Sequence, residues 1–173
     1  MLLFQGEGFA FEVRLATAEE FKEGYGTAYS SIYIDRVMRG NINLSIHSST
    51  WAGEPNPGEI LVRAHSNGTL QKGDELLWKN ETTGEALALI FVGAMTAIPE
   101  GEFELFHELP EELRLKIGRE FVVSNPNSKA AYLIESGHVL TIVTCDSRPG
   151  HMEVNEDGTV AFPERAGFVF AYY

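Results

Sequence analysis

Short stretches in which apolar and polar residues alternate recur along this chain, and turn-forming sequences separate them. The clearest runs from Gly8 to Leu15, where Phe9, Phe11 and Val13 share one face. A period of two is the pattern of a half-buried β-strand. About ten such stretches, at spacings of roughly 8–15 residues, are typical of an antiparallel β-sandwich or barrel. The sequence therefore predicts a mainly β fold with about one to three short helices.

Other segments predict particular strands within this fold. Glu59–His65 and Thr69–Lys79 flank Ser66-Asn67-Gly68, which favours a β-hairpin. Ala86–Met95 is apolar on both faces, as a strand covered on both sides would be. His138–Cys145 also alternates well. With no repeat and no linker, residues 1–173 are predicted to form one β-rich domain.

Two short helices are predicted from capping signals. Thr17 and Glu20 have the spacing of a capping box, in which each side chain satisfies a free backbone N–H of the first helical turn. Glu111 and Glu112 suit the first turn of a second helix, which Gly118 can end. The segment 129–135 is ambiguous, and its pattern slightly favours a strand over a helix.

Composition and charge exclude several classes of protein. The chain has 25 acidic and 13 basic residues, for a net charge of -12, so nucleic acids and anionic membranes are disfavoured as partners. Cys145 is the one cysteine, which excludes an intramolecular disulfide and a cysteine-rich zinc site. The start of the sequence has no basic segment, and the longest apolar run is half a membrane span. We therefore expect a cytoplasmic protein.

Catalytic and metal-binding patterns are weak in this sequence. Cys145 ends an apolar strand near His138 and His151, but that spacing is not specific for a nucleophile and its base. A lone cysteine on an alternating strand is more often a small core side chain, so Cys145 is predicted to be a buried, inert thiol. The five histidines are scattered, with no pair four residues apart. No catalytic residue, metal site or cofactor is predicted.

Residues 100–112, called here the acidic strip, carry glutamates between apolar side chains and no basic residue. Such a surface can steer a basic protein partner by charge and bind it through aromatic anchors. The alternative is a strand edge whose charges protect it from aggregation. The residues predicted to bind a partner are Glu104, Phe106, Glu108, Glu111 and Glu112.

A second candidate surface combines aromatic and basic residues. Residues 25–51 are rich in tyrosine and tryptophan, which provide contact area at low entropic cost. Two arginines bracket the last predicted hairpin and can bind a phosphate or carboxylate in bidentate fashion. The residues predicted to bind a small anionic ligand are Tyr29, Trp51, Arg148, His151 and Arg165.

These observations favour a non-enzymatic interaction module that acts through protein–protein contacts, with a protein partner or another copy of itself. Two alternatives remain open from the sequence. One is a small-molecule-binding β-barrel for an anionic metabolite or nucleotide. The other is a hydrolase or isomerase with strand-borne histidine and glutamate residues in the mouth of a barrel.

Overall fold

A computed structural model describes residues 1–17, 19–20, 31–38, 41–48, 56–99 and 111–173. Eight strands of this described part close into a barrel, and two short strands form a separate hairpin. The barrel strands are β1 (Leu2–Gly6), β2 (Phe9–Leu15), β3 (Ser31–Met38), β4 (Asn41–Ile46), β5 (Glu75–Asn80), β6 (Ala86–Pro99), β7 (Val139–Cys145) and β10 (Glu164–Tyr172). The hairpin consists of β8 (Glu153–Val154) and β9 (Val160–Ala161). The helices are α1 (Pro57–Ser66), α2 (Glu111–Ser124) and α3 (Lys129–Glu135).

The strands follow one another around the barrel in the order β1, β2, β3, β4, β7, β10, β6, β5. Most neighbours are antiparallel, but β2 with β3 and β4 with β7 are parallel. A parallel pair requires a long connection that carries the chain back to its starting end. Between β4 and β7, this connection contains α1, two barrel strands, α2 and α3. The prediction of a mainly β barrel with about ten strands and up to about three helices is confirmed.

Two apolar layers cover the two faces of the central strands. The barrel interior is filled by residues that include Phe4, Leu44, Leu140 and Phe168, all fully buried. The second layer lies outside the barrel, where α2 and α3 pack on β6, β7 and β10. Because side chains alternate along a strand, the two layers show which residues of β7 point inward and which point outward. The direction of each β7 side chain thus determines which residues share one face of the barrel.

The segment predicted as the strand 59–65 is instead helix α1, so the hairpin prediction at 66–68 is wrong. Asn56 caps the helix, with its Oδ1 accepting from the Glu59 N–H at 3.2 Å. Pro57 occupies the first helical turn, where its missing N–H costs nothing. Leu61 is fully buried, because α1 packs its apolar face into the barrel core. A short apolar run has no decisive period, and here tertiary packing selected the helix.

The segment 129–135, for which a strand was slightly favoured, is helix α3. Its N-cap Ser128 accepts a hydrogen bond from the Ala131 N–H at 3.1 Å. Helix α2 also continues past Gly118 to Ser124, because Gly118 faces Ile134 of α3 in a close helix–helix contact. The interhelical contact thus uses the glycine that the sequence assigned to a helix end.

Several local predictions are confirmed. The capping box forms, since the Glu20 carboxylate accepts from the Thr17 N–H at 2.9 Å and Thr17 Oγ1 accepts from the Glu20 N–H at 3.3 Å. The doubly covered strand is β6, and the alternating segment before Cys145 is β7. Among the helices that the structure describes, none has the length and apolar character needed to cross a membrane.

Candidate functional site

Cys145 and Arg165 lie side by side at one end of the barrel. Cys145 is the last residue of β7, and it pairs directly with Arg165 in β10. Residues paired across antiparallel strands point to the same face. On β7 the interior residues are Leu140 and Ile142, and on β10 they include Phe168, so Cys145 and Arg165 both point outward. A thiol and a guanidinium therefore share one face of the barrel.

His47 joins this pair from the strand on the other side of β7. Strand β4 runs parallel to β7, with Ser45 opposite Val143. Two residues further along both strands, the same register puts His47 beside Cys145. Because Leu44 and Ile46 face the barrel interior, continued alternation points His47 outward. Three adjacent strands thus place an imidazole, a thiol and a guanidinium on one face.

The ends of β4 and β7 stay together beyond their last paired residues. Ser48 follows His47 and donates from its hydroxyl to the hydroxyl of Ser147 at 2.6 Å. Ser147 lies two residues after Cys145, and Ser48 is almost fully buried. This hydrogen bond supports the register argument at the point where the ladder itself has ended.

The start of helix α1 packs against the same residues from inside the barrel. The Gly58 N–H donates to the His47 carbonyl at 2.8 Å. A Cβ on Gly58 would lie 2.8 Å from the His47 carbonyl carbon and would also overlap the Thr144 hydroxyl. Glycine is therefore required here, because only the bare backbone fits between the ends of β4 and β7.

Exposure differs among the three side chains. Arg165 is 6% exposed and donates from Nη1 to the Phe162 carbonyl at 2.6 Å, which fixes its guanidinium. Cys145 and His47 are half-buried, so both residues are partly exposed to solvent. A fixed cation beside an accessible thiol and imidazole is an arrangement suited to nucleophilic attack on a carbonyl.

The residue after Cys145 anchors a second, charged group of side chains. Asp146 is fully buried and forms a bidentate ion pair with Arg148, at 2.8 Å from Nε to Oδ1 and 2.7 Å from Nη2 to Oδ2. His151 Nδ1 contacts the Glu164 carboxylate and lies 4.0 Å from Asp146 Oδ2. Burial by itself raises the pKa of Asp146, but hydrogen bonds from Arg148 and Ala97 outweigh burial and hold that pKa below its ordinary value.

Asp146, His151 and Glu164 bring their possible metal-ligand atoms within 4.8 Å of one another. The donor set nevertheless does not suit a metal ion. The two Asp146 oxygens already accept four hydrogen bonds, from the Ala97 N–H, the Arg148 N–H and two guanidinium N–H groups. A carboxylate has about four acceptor positions, so none remains for a cation, and Arg148 supplies the positive charge. We interpret the group as a charged hydrogen-bond network.

The structure brings together only part of the ligand surface predicted from sequence. Arg148, His151 and Arg165 do gather at this end of the barrel, although Arg148 and His151 belong to the Asp146 network. Glu111 and Glu112 are exposed at the start of α2. The remaining predicted residues, Glu104, Phe106, Glu108, Tyr29 and Trp51, lie outside the described residues.

Comparison with solved structures assigns the barrel to a known fold. A sortase B from Staphylococcus aureus complexed with MTSET superposes with a TM-score of 0.56 at 13% identity, over 99% of this chain and 72% of the other. A sortase B complexed with triglycine gives 0.53 at 12% identity, over 99% and 79%. A sortase B from Bacillus anthracis gives 0.54 at 9% identity, over 99% and 76%. The chain therefore has a sortase-like β-barrel fold.

No protein-family model and no curated protein matches the sequence. The solved structures that this chain resembles are sortases, which are cysteine transpeptidases. This likeness contradicts the sequence-based prediction of a non-enzymatic interaction module. Spacing along the chain indicates a site only where its residues are close in sequence. Since the strands of this barrel pair out of sequence order, residues 98 positions apart can be neighbours, and a spacing test cannot find them.

His47 is the residue that sequence reasoning missed altogether. It was counted among scattered histidines, whereas the parallel pairing of β4 with β7 brings it to Cys145. One signal was available in the sequence. Cys145 is the last residue of the strand-forming segment 138–145, and His47 is the last but one of the strand-forming segment 42–48; side chains near the ends of neighbouring strands can converge.

Proposed function

We propose that this protein is a cysteine transpeptidase with Cys145 as nucleophile, His47 as general acid and base, and Arg165 as the group that stabilises the oxyanion. The observation that carries the proposal is the direct pairing of Cys145 with Arg165 on one face, with His47 directly after the neighbouring strand β4. The sortase-like fold supports it, because the solved structures with this barrel are cysteine transpeptidases.

In the first half-reaction, the Cys145 thiol gives its proton to His47, and its sulfur attacks the carbonyl carbon of a peptide bond. The C–N bond breaks, His47 gives a proton to the departing amine, and the acyl group remains on Cys145 as a thioester. Arg165 donates hydrogen bonds to the negative oxygen of the tetrahedral intermediate. Because the Arg165 guanidinium is held by the Phe162 carbonyl, little reorganisation is needed when charge develops.

In the second half-reaction, an amine attacks the thioester carbonyl and gives its proton to His47. The C–S bond breaks, a new amide forms, and His47 returns the proton to the Cys145 sulfur, which restores the starting state. One neighbouring structure is a complex with triglycine. We therefore propose that the acceptor is the N-terminal amine of a short, unhindered peptide, and triglycine is a suitable first probe.

The first experiment does not depend on the substrate sequence. Iodoacetamide is added to the folded protein between about pH 5 and pH 9, and the alkylation of Cys145 is followed by intact-mass spectrometry. We expect Cys145 to react readily, and Arg165→Lys and His47→Gln to change the rate and its pH dependence. Arg63→Lys and His138→Gln are matched controls, because both side chains are exposed and lie away from the site. Alkylation that is slow and equal in all variants supports the inert thiol predicted from sequence and contradicts the proposal.

The second experiment looks for transfer itself. The protein is incubated with a peptide library and triglycine, and products that have gained triglycine are identified by mass spectrometry. We expect such products with the wild type, together with a protein species that carries an acyl group on Cys145. Cys145→Ala should abolish both without changing the fold. Transfer that persists in Cys145→Ala would refute the assignment of the nucleophile.

A further inference from the structure

A buried carboxylate next to the nucleophile requires an explanation, because a negative charge beside Cys145 opposes formation of a thiolate. Asp146 directly follows Cys145 and is fully buried. Its charge is neutralised by the bidentate Arg148 guanidinium, and its pKa lies below the ordinary value even though burial works in the other direction. The protein therefore keeps an ionised carboxylate at a buried position, where an uncharged residue would have a smaller desolvation penalty.

Asp146 connects three parts of the barrel at the end of β7, next to Cys145. Its backbone N–H donates to the Glu164 carbonyl at 3.0 Å, which extends the β7–β10 pairing by one residue. Its Oδ2 accepts from the Ala97 N–H of β6 at 2.9 Å, and both oxygens hold Arg148 of the loop that follows. The ends of β6, β7 and β10 are therefore fixed to one another through a single residue, which contacts β10 through its backbone and β6 through its side chain.

Ala97 provides an independent observation. Its φ of 56° lies in the left-handed region, which a residue with a Cβ rarely adopts. It sits in a β-bulge, since the β6 partner changes from Ile98 to Met95 while β10 advances from Arg165 to Gly167. The bulge frees the Ala97 N–H from the β6–β10 ladder and directs it to Asp146. Strained backbone conformations persist where the surrounding structure requires them, and they cluster at active sites.

We propose that Asp146 is a positioning residue, whose carboxylate, held by Arg148 and by the bulge at Ala97, fixes the end of β7 so that the Cys145 thiol is aligned with Arg165 and His47. The inference rests on the proposed transpeptidase function and adds to it a role for a residue that does not touch the reacting atoms. Alignment is required because the sulfur must approach the carbonyl carbon along a defined direction. Asp146 acts on Cys145 through the β7–β10 pairing, because it directly follows the Cys145–Arg165 pair.

The test compares Asp146→Asn with Asp157→Asn in the full-length protein. Asp157 is a matched control, because its carboxylate also accepts two hydrogen bonds, from Thr159, but in an exposed turn of the β8–β9 hairpin. For each variant we measure transfer to triglycine, using a peptide identified with the wild type, and alkylation of Cys145 by iodoacetamide across pH. All rates are compared at a temperature where every variant is fully folded.

We expect Asp146→Asn to lower kcat for transfer by about tenfold to 100-fold, with KM changed by less than about twofold, because misalignment affects the transition state more than binding. Alkylation by the small reagent should instead extend to lower pH, since removal of a neighbouring negative charge favours the thiolate. Asp157→Asn should match the wild type in both measurements. Unfolding would also abolish transfer and expose the thiol, but it would give alkylation the pH dependence of an ordinary cysteine. Loss of transfer together with alkylation that extends to lower pH therefore separates misalignment from unfolding.

Arg148→Lys is a second variant in case Asp146→Asn does not fold. It keeps the positive charge but cannot form the bidentate pair, so we expect a smaller loss of kcat in the same direction. The proposal is overturned if Asp146→Asn transfers as fast as Asp157→Asn, or if its loss disappears once all variants are fully folded. It is also overturned if calcium or zinc stabilises the wild type and not Asp146→Asn, since that result would assign the carboxylate to a metal. If the wild type itself shows no transfer, the proposed function fails, whatever Asp146 does.

Discussion

At the scale of single residues, β7 contains a buried polar side chain that finds no hydrogen-bond partner among the described residues. Thr141 in β7 is fully buried, and within the described part of the chain its Oγ1 has no hydrogen-bond partner. It lies on the outer face of β7 between Val139 and Val143, in the apolar layer under α2 and α3. An unpaired buried hydroxyl lowers stability, and valine has almost the same shape.

We therefore expect Thr141→Val to raise the free energy of unfolding by about 1 kcal/mol, because it removes the desolvation cost of the hydroxyl. Urea denaturation measures the change. Thr159→Val is the control, since the Thr159 hydroxyl is hydrogen-bonded to Asp157 and Asn155. That variant should be neutral or less stable. A loss of stability in Thr141→Val would show that its hydroxyl contributes to the native state.

Gly58 packs directly against His47, a residue of the candidate site. A Cβ there would overlap the Thr144 hydroxyl and the backbone of His47, and backbone cannot move aside as a flexible side chain can. We expect Gly58→Ala to lower the free energy of unfolding by about 1–3 kcal/mol and to reduce transfer by displacing His47. Thermal denaturation and the triglycine assay measure the two effects.

Gly118→Ala is the corresponding control for Gly58→Ala. Its Cβ would lie 3.2 Å from the Ile134 Cγ2 methyl group, which is a side-chain contact and not a backbone contact, and α2 lies away from Cys145. This variant should change transfer little. If Gly58→Ala also leaves transfer unchanged while it destabilises the protein, α1 supports the barrel without positioning His47.

At the scale of secondary structure, the bulge in β6 is an irregular element that contacts Asp146, the residue after Cys145. Ala97→Gly retains the N–H that Asp146 accepts and removes the steric penalty of a positive φ. We expect transfer to stay within about twofold of the wild type and the free energy of unfolding to change by less than about 1 kcal/mol. Urea denaturation and the triglycine assay measure these quantities. A large loss of transfer would mean that the Ala97 methyl group, and not its N–H, is what the site needs.

At the scale of the whole molecule, acid stability reports on the Asp146 network. Because the folded-state pKa of Asp146 lies below its ordinary value of 3.8, the ionised carboxylate stabilises the fold above about pH 4. This contribution is lost as the pH falls through the lower folded-state value. We expect the free energy of unfolding of the wild type to fall more steeply below about pH 4 than that of Asp146→Asn. Parallel curves from urea denaturation between about pH 7 and pH 3 would contradict the role assigned to this carboxylate.

The sequence by itself determined the class of fold and most of its strands. Alternation over 9–15 and 139–145 predicted β2 and β7, and the doubly apolar run predicted β6, because a period of two is a local property of the chain. Local capping chemistry likewise predicted the Thr17–Glu20 box. The segment of α1 was predicted as a strand, and a strand was slightly favoured for the ambiguous segment of α3, since short apolar segments take the structure that their packing surface provides.

The site was decided by tertiary structure alone. Cys145, Arg165 and His47 come together because β7 pairs with β10 on one side and with the distant, parallel β4 on the other. Neither pairing leaves a spacing pattern in the sequence, so the cysteine had no evident partner there and the histidine was one of five. A strand fixes only the direction of its own side chains, whereas the choice of neighbouring strand depends on how the whole barrel closes.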